Sequence, residues 1–194
     1  MEKGLAIAMP RIEIRSFTID VTAELLEHFQ RHRKESGVNG IHFMPFAPDD
    51  PNGPMGISTD KALLPLGNLG WQRWFYARDA DSGNIVGHVD LKHDGLSAGL
   101  HRCELGIGIE TRYRGAGLGR QLMETALSFA RDTGSLAWVD LRVFANNTRA
   151  LALYRQLGFT EIGVLKDRFR IGDDSIDDIV MTLRIHREGQ TEAV

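Results

Sequence analysis

The sequence predicts a mixed α/β fold, in which helices cover one sheet. Two patterns carry this prediction: segments that alternate apolar and polar residues, typical of strands, and segments with apolar residues at helical spacing. Their order along the chain is β-α-β-β-β-α-β-α-β-β. A length of 194 residues suits a single domain. We therefore expect one domain over residues 11–185, with a flexible leader at residues 1–10 and a tail at residues 186–194.

The first half of the chain combines regular elements with one long irregular segment. Residues 11–17 alternate and predict a strand, and residues 21–35 predict a helix with Leu25, Leu26 and Phe29 on one side. Residues 37–70 predict a long connection, because four of the six prolines lie between residues 45 and 54. One short helix is expected after Thr59. Two strands should follow at residues 72–79 and 85–92.

The second half of the chain is more regular. Residues 101–109 predict a strand, and residues 117–133 predict a helix that Gly134 ends. A strand at residues 137–144 and a helix at residues 147–157 should follow. Strands at residues 159–169 and 176–183 would close the fold as a hairpin around residues 172–174.

Composition excludes several classes of protein. The chain has 23 basic and 26 acidic side chains and a net charge of −3, which argues against a broad contact with nucleic acid or an anionic membrane. A single cysteine excludes a disulfide framework and a cysteine-rich zinc site. The N-terminal apolar run is too short for a signal peptide, and no segment approaches the roughly 20 apolar residues of a membrane helix. We expect a cytoplasmic protein.

The segment RYRGAGLGR, from Arg112 to Arg120, is the sharpest feature of the sequence. It leaves a predicted strand and opens a predicted helix. Glycines let backbone N–H groups approach an anion closely, and the helix N-terminus adds unpaired donors and about half a positive charge. Arg114 and Arg120 add full charges. The turn therefore predicts a pyrophosphate site, against the alternative of a tight connection without a ligand.

Two common nucleotide-binding signatures do not fit this turn. A Walker A loop has Lys-Ser or Lys-Thr after its last glycine, whereas Arg120 and Gln121 stand here. The dinucleotide fingerprint G-x-G-x-x-G would place its third glycine at Arg120. Asp140 does lie about 20 residues downstream, where an acid that binds ribose is expected. A nucleotide-dependent oxidoreductase therefore stays open as a rival.

Two segments carry a resemblance to a known family. Arg114-x-x-Gly117-x-Gly119 resembles the R/Q-x-x-G-x-G/A signature of the GNAT family of N-acetyltransferases, and Asn147 to Phe159 is similar to its N-x-x-A-x-x-L-Y-x-x-x-G-F segment. The resemblance implies a GNAT-like fold, with a mixed and mostly antiparallel sheet flanked by helices. It also implies acetyl-CoA as cosubstrate, with the strand at residues 101–109 splayed from its neighbour and the pantetheine arm in the gap.

The resemblance also implies the residues of an acetyl-CoA site. Backbone groups near Ile107 and Ile109 would pair with the pantetheine arm, and one amide would polarise the thioester carbonyl. Gly106 and Gly108 would let this strand bulge, or would merely permit tight packing. Asn147 would contact the cofactor, although an asparagine there is equally an ordinary N-cap. The turn residues implied to bind the pyrophosphate are Arg114, Gly115, Ala116, Gly117, Leu118, Gly119 and Arg120.

Two residues are implied as catalytic. Tyr154 matches the family's usual general acid, since a phenol with a pKa near 10 stays protonated at neutral pH and can pass a proton to the leaving thiolate. Glu104, on the strand that would face the acceptor, would serve as the general base. His88, His93 and His101 are alternatives, because imidazole titrates near neutrality.

No side chain indicates a covalent intermediate or a metal. Cys103 is expected to be a small apolar core residue, which favours direct transfer over a ping-pong route. His28 and His32 lie one helical turn apart, but no third ligand is near them in the sequence. We expect this pair on a solvated helix face and no metal site.

The resemblance implies an acceptor site between the irregular segment at residues 37–70 and the closing hairpin at residues 166–178. Acids of the hairpin could attract a cationic amine or could form a solvated turn. We favour a small-molecule primary amine. The alternatives are a protein N-terminus or lysine as acceptor, and a sensor that binds acyl-CoA without turnover. The resemblance also allows a homodimer. The acids concerned are Asp173, Asp174, Asp177 and Asp178.

Overall fold

The computed structural model describes residues 10–51, 53 and 56–185. The expected leader and tail therefore lie outside the described residues, apart from Pro10. The strands are β1 (Ile12–Ser16), β2 (Gln72–Asp79), β3 (Ile85–Lys92), β4 (Arg102–Ile109), β5 (Trp138–Phe144), β6 (Thr160–Ile171) and β7 (Asp174–Arg184). They form one sheet in the order β1-β2-β3-β4-β5-β7-β6. Its β4–β5 pair is parallel and its other pairs are antiparallel, which confirms the expected mixed, mostly antiparallel sheet.

Four α-helices accompany the sheet in the described chain. They are α1 (Thr22–Arg33), α2 (Thr59–Leu63), α3 (Leu118–Asp132) and α4 (Thr148–Gln156). The irregular segment between α1 and β2 contains α2, close to the position that the sequence predicts. No helix among these described residues is both long and apolar enough to cross a bilayer.

The closing hairpin is longer than the sequence pattern predicts. β6 continues to Ile171, which pairs with Asp174 in β7. The predicted end at Phe169 is therefore two residues too early. The reason is that charged residues on an exposed strand hide the alternation from which a strand is predicted. Most of β6 is exposed.

The two faces of the sheet differ in chemistry. On the core face, α3 buries a stripe at helical spacing against β2, β3 and β4; burying each such large apolar side chain contributes about 1.5–3 kcal/mol. Strand alternation and the register place charged and histidine side chains on the opposite face. We call this the polar face. Its titratable side chains include His88, Asp90, Lys92, Glu104, Asp140, Arg142 and Asp178.

Helix α1 covers part of the polar face. Phe29 packs edge-on against Trp74 of β2 and His88 of β3, with ring centroids 5.6 and 4.7 Å apart. Leu25 is fully buried in the same cluster. The rest of the polar face, over β4, β5 and β7, lies beside the irregular segment that follows α1.

Candidate active site

The parallel pair in the middle of the sheet opens along its length. β4 and β5 pair from Arg102 with Trp138 to Leu105 with Leu141, and pairing stops there although both strands continue. Beyond that point β4 still pairs with β3, and β5 with β7. The side of β4 that faces β5 therefore has backbone donors and acceptors without sheet partners from Gly106 to Ile109. This is the splay that the family resemblance implies.

The glycine turn lies where β4 ends at this gap. Gly115 and Gly117 have φ of 94° and 85°, a left-handed conformation that side chains disfavour. Gly117 is the N-cap of α3, and no side chain caps this helix end. The first N–H groups of a 15-residue helix therefore point out of the turn, as an anion site requires.

The arginines of the turn are more engaged than the sequence predicts. Arg114 Nε donates to the carbonyl of Ile109 at 2.7 Å, and its guanidinium lies 4.9 Å from the Phe43 ring centre. Arg120 donates to Gln156 at 2.8 Å. Sequence reasoning missed Arg149, in the first turn of α4. A Cβ at position 115 would lie 2.9 Å from Arg149 Nη2, so this guanidinium lies directly against the turn.

Two asparagines precede α4, and their side chains have different partners. The Asn147 side chain accepts a hydrogen bond from the Ala150 N–H at 3.2 Å, so Asn147 is the N-cap. Asn146 instead donates to the carbonyl of Gly40 at 2.9 Å. The first contact aligns α4 beside the turn, and the second holds the segment after α1 against the start of α4.

Tyr154 lies inside the fold at the core face. The residue is 6% exposed, and its ring centre is 6.1 Å from that of Phe159. Burial raises the pKa of the phenol well above its usual value, so the hydroxyl stays protonated at neutral pH. No other described residue hydrogen-bonds to that hydroxyl. It is therefore protonated at neutral pH and has no acceptor for its proton among the described residues.

Glu104 lies on the polar face with an ion-pair partner. Its carboxylate is 2.9 Å from Lys92 Nζ, and both side chains are nearly half exposed. The β3–β4 register next to it is unbroken, so Gly106 and Gly108 form no bulge against β3. Tight packing explains both glycines. A Cβ at 108 would collide with His88, and one at 106 would lie 2.5 Å from Asp90 Oδ1.

Asp90 is a second carboxylate near the gap that sequence reasoning missed. It is buried in β3 opposite Gly106, and burial raises its pKa to about 7. Neighbouring Lys92 opposes this rise in pKa and Glu104 adds to it. The available signal was strand alternation, which places Asp90 on the same face as His88 and Lys92.

The expectation that His28 and His32 face solvent is wrong. Both are buried, and their rings stack at 5.7 Å. His28 bridges Glu110 and His88, with 2.9 Å from its Nδ1 to Glu110 Oε1 and 2.9 Å from its Nε2 to His88 Nδ1. His32 stacks on Phe43 at 4.5 Å. The physical reason is that α1 covers the polar face, so a polar stripe of the helix is buried there.

Three other titratable side chains are buried or paired within the fold. His93 is buried and its Nδ1 accepts from the N–H groups of Gly70 and Gly95 at 3.2 and 3.1 Å. Cys103 is buried, and burial raises the pKa of its thiol to about 12, which makes it a poor nucleophile. Asp140 accepts two hydrogen bonds from Arg102, at 2.8 and 2.6 Å, and one from Thr182 at 2.6 Å, so its carboxylate is already engaged within the sheet.

The segment after α1 and the closing hairpin meet across the polar face. His42 Nε2 lies 2.8 Å from Asp174 Oδ2. Two more acids of the hairpin are also paired: Asp177 with Lys166 at 2.7 Å, and Asp178 with Arg142 at 3.1 Å. These pairs favour a charged, closed edge over a cluster of unpaired acids that attracts a cation.

Two further features bear on ligands. Among residues 10–51, 53 and 56–185, no three His, Cys, Asp or Glu side chains are grouped as metal ligands. A cavity of about 400 Å³ is lined by Trp71, Leu100 and His101, among others. It lies at the end of β4 opposite to the glycine turn, so it is separate from the gap.

A parallel pair that splays along its length, an uncapped helix start behind two left-handed glycines and a buried phenol on α4 are the features of an acyl-CoA-dependent acyltransferase. The family model described as the acetyltransferase (GNAT) family matches residues 46–159. The chain belongs to this family. It is an N-acetyltransferase, and acetyl-CoA is its cosubstrate.

Known relatives agree with this assignment. The N-alpha-acetyltransferase RimI of Mycobacterium tuberculosis is 29% identical over 126 residues, which are 65% of this chain and 72% of RimI. The mycothiol acetyltransferase of Thermobifida fusca is 42% identical over 91 residues, 44% of this chain and 28% of that protein. The match therefore spans less than a third of the second relative.

Solved structures share the fold over most of the chain. The structure of a GNAT-family acetyltransferase from Streptococcus pneumoniae has a TM-score of 0.74 and 26% identity, covering 90% of this chain and all of the other. The structure of yncA from Salmonella typhimurium, with acetyl-CoA as its cofactor, has a TM-score of 0.69 and 16% identity, covering 94% and 99%.

Proposed function

We propose that this chain transfers the acetyl group of acetyl-CoA directly to a primary amine of a small molecule. The observation that carries the proposal is the gap beyond Leu105 and Leu141, which opens beside the glycine turn. A pantetheine arm in this gap would complete the hydrogen bonds that β4 lacks. The thioester would then lie between the phenol on the core face and the carboxylates on the polar face.

Each residue has a part in this proposal. The backbone of residues 115–119 binds the pyrophosphate, with the guanidinium of Arg149 beside it. Arg114 and Arg120 hold the turn in place, and Asn147 caps the start of α4. Backbone groups of Ile107 and Ile109 pair with the arm. Tyr154 protonates the leaving thiolate, and either Glu104 or Asp90 takes the proton of the amine.

A small acceptor is favoured by the way the polar face is covered. The segment after α1 is fastened on one side by Asn146 to Gly40 and on the other by His42 to Asp174. A cover held at these two neighbouring residues, against the start of α4 on one side and the closing hairpin on the other, leaves less room for a chain than for a compact amine. A protein N-terminus is the second candidate, and the similarity to RimI, named as an N-alpha-acetyltransferase, supports it.

Two measurements test the proposal in sequence. A thermal shift should rank acetyl-CoA and CoA above ATP and NAD, since saturation at 100 times Kd stabilises a fold by about 2.7 kcal/mol. A shift with NAD and none with acetyl-CoA would reject the acyltransferase site.

A thiol-release assay should then compare polyamines, aminoglycosides and amino acids with peptides that have free or blocked N-termini. Release of CoA with small amines supports the proposal. Release only with free peptide N-termini would replace the small molecule by a protein. Binding of acetyl-CoA without release of CoA in any arm would indicate a sensor.

A further inference from the structure

The two carboxylates near the gap differ in what surrounds them. Glu104 is nearly half exposed and already ion-paired with Lys92. Asp90 is 6% exposed, and no residue of the described chain donates a hydrogen bond to it or forms an ion pair with it. Such a carboxylate is costly to bury unless something else compensates it. That cost indicates a use for Asp90 beyond packing.

Register and packing place Asp90 at the opening of the gap. Asp90 pairs with Gly106, the first residue of β4 after its last pair with β5. Because Gly106 has no Cβ, an Asp90 oxygen lies in the space where that Cβ would stand. The carboxylate therefore lies against β4 at the point where the acetyl group is expected.

We propose that Asp90, rather than Glu104, accepts the proton of the acceptor amine. This assignment rests on the proposed function. It is a new role for a β3 side chain that the sequence pattern does not single out. Glu104 and Lys92 then flank the base as an ion pair at the solvent-exposed side of the same face.

The groups around Asp90 suit this role. Lys92 on its own strand favours the carboxylate, whereas Glu104 of β4 disfavours it. His88 stands two residues earlier on β3, and Cys103 of β4 interacts with Asp90 from the core side. From α1, His28 and His32 face His88. With a pKa of about 7, Asp90 is partly ionised at neutral pH, which is optimal for a general base.

The step balances with the groups already named. An N–H bond of the substrate ammonium breaks and its proton goes to the Asp90 carboxylate. The nitrogen lone pair forms the C–N bond, and the C–S bond breaks with both electrons on sulfur. Tyr154 protonates that thiolate, and the second N–H proton of the intermediate replaces the phenol proton through water. CoA, the amide and a protonated Asp90 result, and Asp90 then releases its proton to solvent.

The pH dependence of kcat in matched variants tests the assignment. Wild type should show an acidic limb near pH 7 at saturating acceptor. Asp90→Asn should lose that limb and about 10²–10⁴ in kcat, with the Kd for acetyl-CoA by calorimetry unchanged. Glu104→Gln should keep the limb. Asp132→Asn, an exposed carboxylate at the end of α3, is the control for removal of one acid and should match wild type.

A second variant tests the assignment in the case that Asp90→Asn does not fold. Gly106→Ala keeps every ionisable group but forces the Asp90 carboxylate away, so it should also lower kcat and displace the limb. Wild-type kcat in either variant, or loss of the limb in Glu104→Gln alone, would overturn the assignment. If wild type binds acetyl-CoA but acetylates no amine, the proposed function fails and the base assignment with it.

Discussion

The carboxylate of Glu35 accepts the backbone N–H of Thr111, with its two oxygens 2.9 and 3.0 Å from that nitrogen. Glu35 stands just after α1, where the cover of the polar face begins, and Thr111 stands just after β4, where the approach to the glycine turn begins. The same carboxylate lies 3.3 Å from Arg114 Nη2. One side chain therefore connects the cover of the polar face to the glycine turn.

Replacement of Glu35 should weaken acetyl-CoA binding, although Glu35 lies outside the turn. Glu35→Ala removes the acceptor for Thr111 and the partner of Arg114, so the turn is less well ordered before the ligand arrives. Because the side chain is partly exposed, we expect a loss of about 1 kcal/mol, or roughly fivefold in Kd by calorimetry.

Glu35→Gln is the matched control. An amide oxygen can still accept from Thr111, so this variant should lose less affinity than Glu35→Ala. A gain in affinity in both variants would contradict the prediction, because it would mean that Arg114 binds the ligand better without Glu35.

Alanine variants at two glycines with the same backbone conformation distinguish an effect of backbone strain from an effect on ligand binding. Gly117 in the turn and Gly83 in the β2–β3 hairpin have φ of 85° and 75°, and both have open space where a Cβ would stand. Gly117→Ala and Gly83→Ala should each cost about 1–2 kcal/mol of stability. Only Gly117→Ala should weaken acetyl-CoA binding, by tenfold or more. Equal affinities in the two variants would remove the turn from the site.

The order of the elements and the turn could be predicted because both are local properties of the chain. The stripe of α3 and the glycines of Gly115-Ala116-Gly117 are visible without knowing what packs against them. The open β4–β5 pair needed the family resemblance, since no periodicity shows where two distant strands stop pairing.

The buried histidines show the limit of prediction from local properties of the chain. Leu25, His28, Phe29 and His32 follow the spacing of one helical stripe, so the signal for burial was present. The prediction nevertheless places both histidines on a solvated face, because no third ligand lies near them in the sequence. The groups that compensate the burial of these histidines belong to the polar face of the sheet. Contacts of this kind form only in the tertiary structure. The burial of Asp90 was missed for the same reason, because it depends on how β3 packs beside Gly106, which has no Cβ.

Phenylalanine variants of two buried tyrosines distinguish an effect on kcat from an effect on stability. The hydroxyl of Tyr154 has no hydrogen-bond partner in the described chain, so Tyr154→Phe should leave stability and the Kd for acetyl-CoA unchanged while kcat falls by about 10²–10⁴. The hydroxyl of Tyr113 donates to Asp79 at 2.7 Å. Tyr113→Phe should instead lose about 1.5–3 kcal/mol of stability, with a much smaller effect on kcat. An equal kcat in the two variants would exclude the phenol of Tyr154 as the acid.

The last prediction concerns the stability of the histidine cluster in acid. Burial, the nearby His28 and the guanidinium of Arg114 lower the pKa of His32 from 6.5 to about 3. The unfolded chain therefore binds a proton at His32 below pH 6.5 that the folded chain does not. The stability from this group is present above pH 6.5 and is lost as the pH falls toward 3.

The comparison of wild type with His32→Leu isolates this effect. Asp90 acts in the opposite direction, because its pKa is raised from 3.8 to about 7, so its contribution is lost as the pH rises. Since Asp90 is present in both proteins, its contribution cancels in the difference between them. Urea unfolding at pH 7.5 and pH 5.5 should show wild type losing about 1 kcal/mol relative to His32→Leu. The same difference at both pH values would mean that His32 is protonated equally in the folded and unfolded chains.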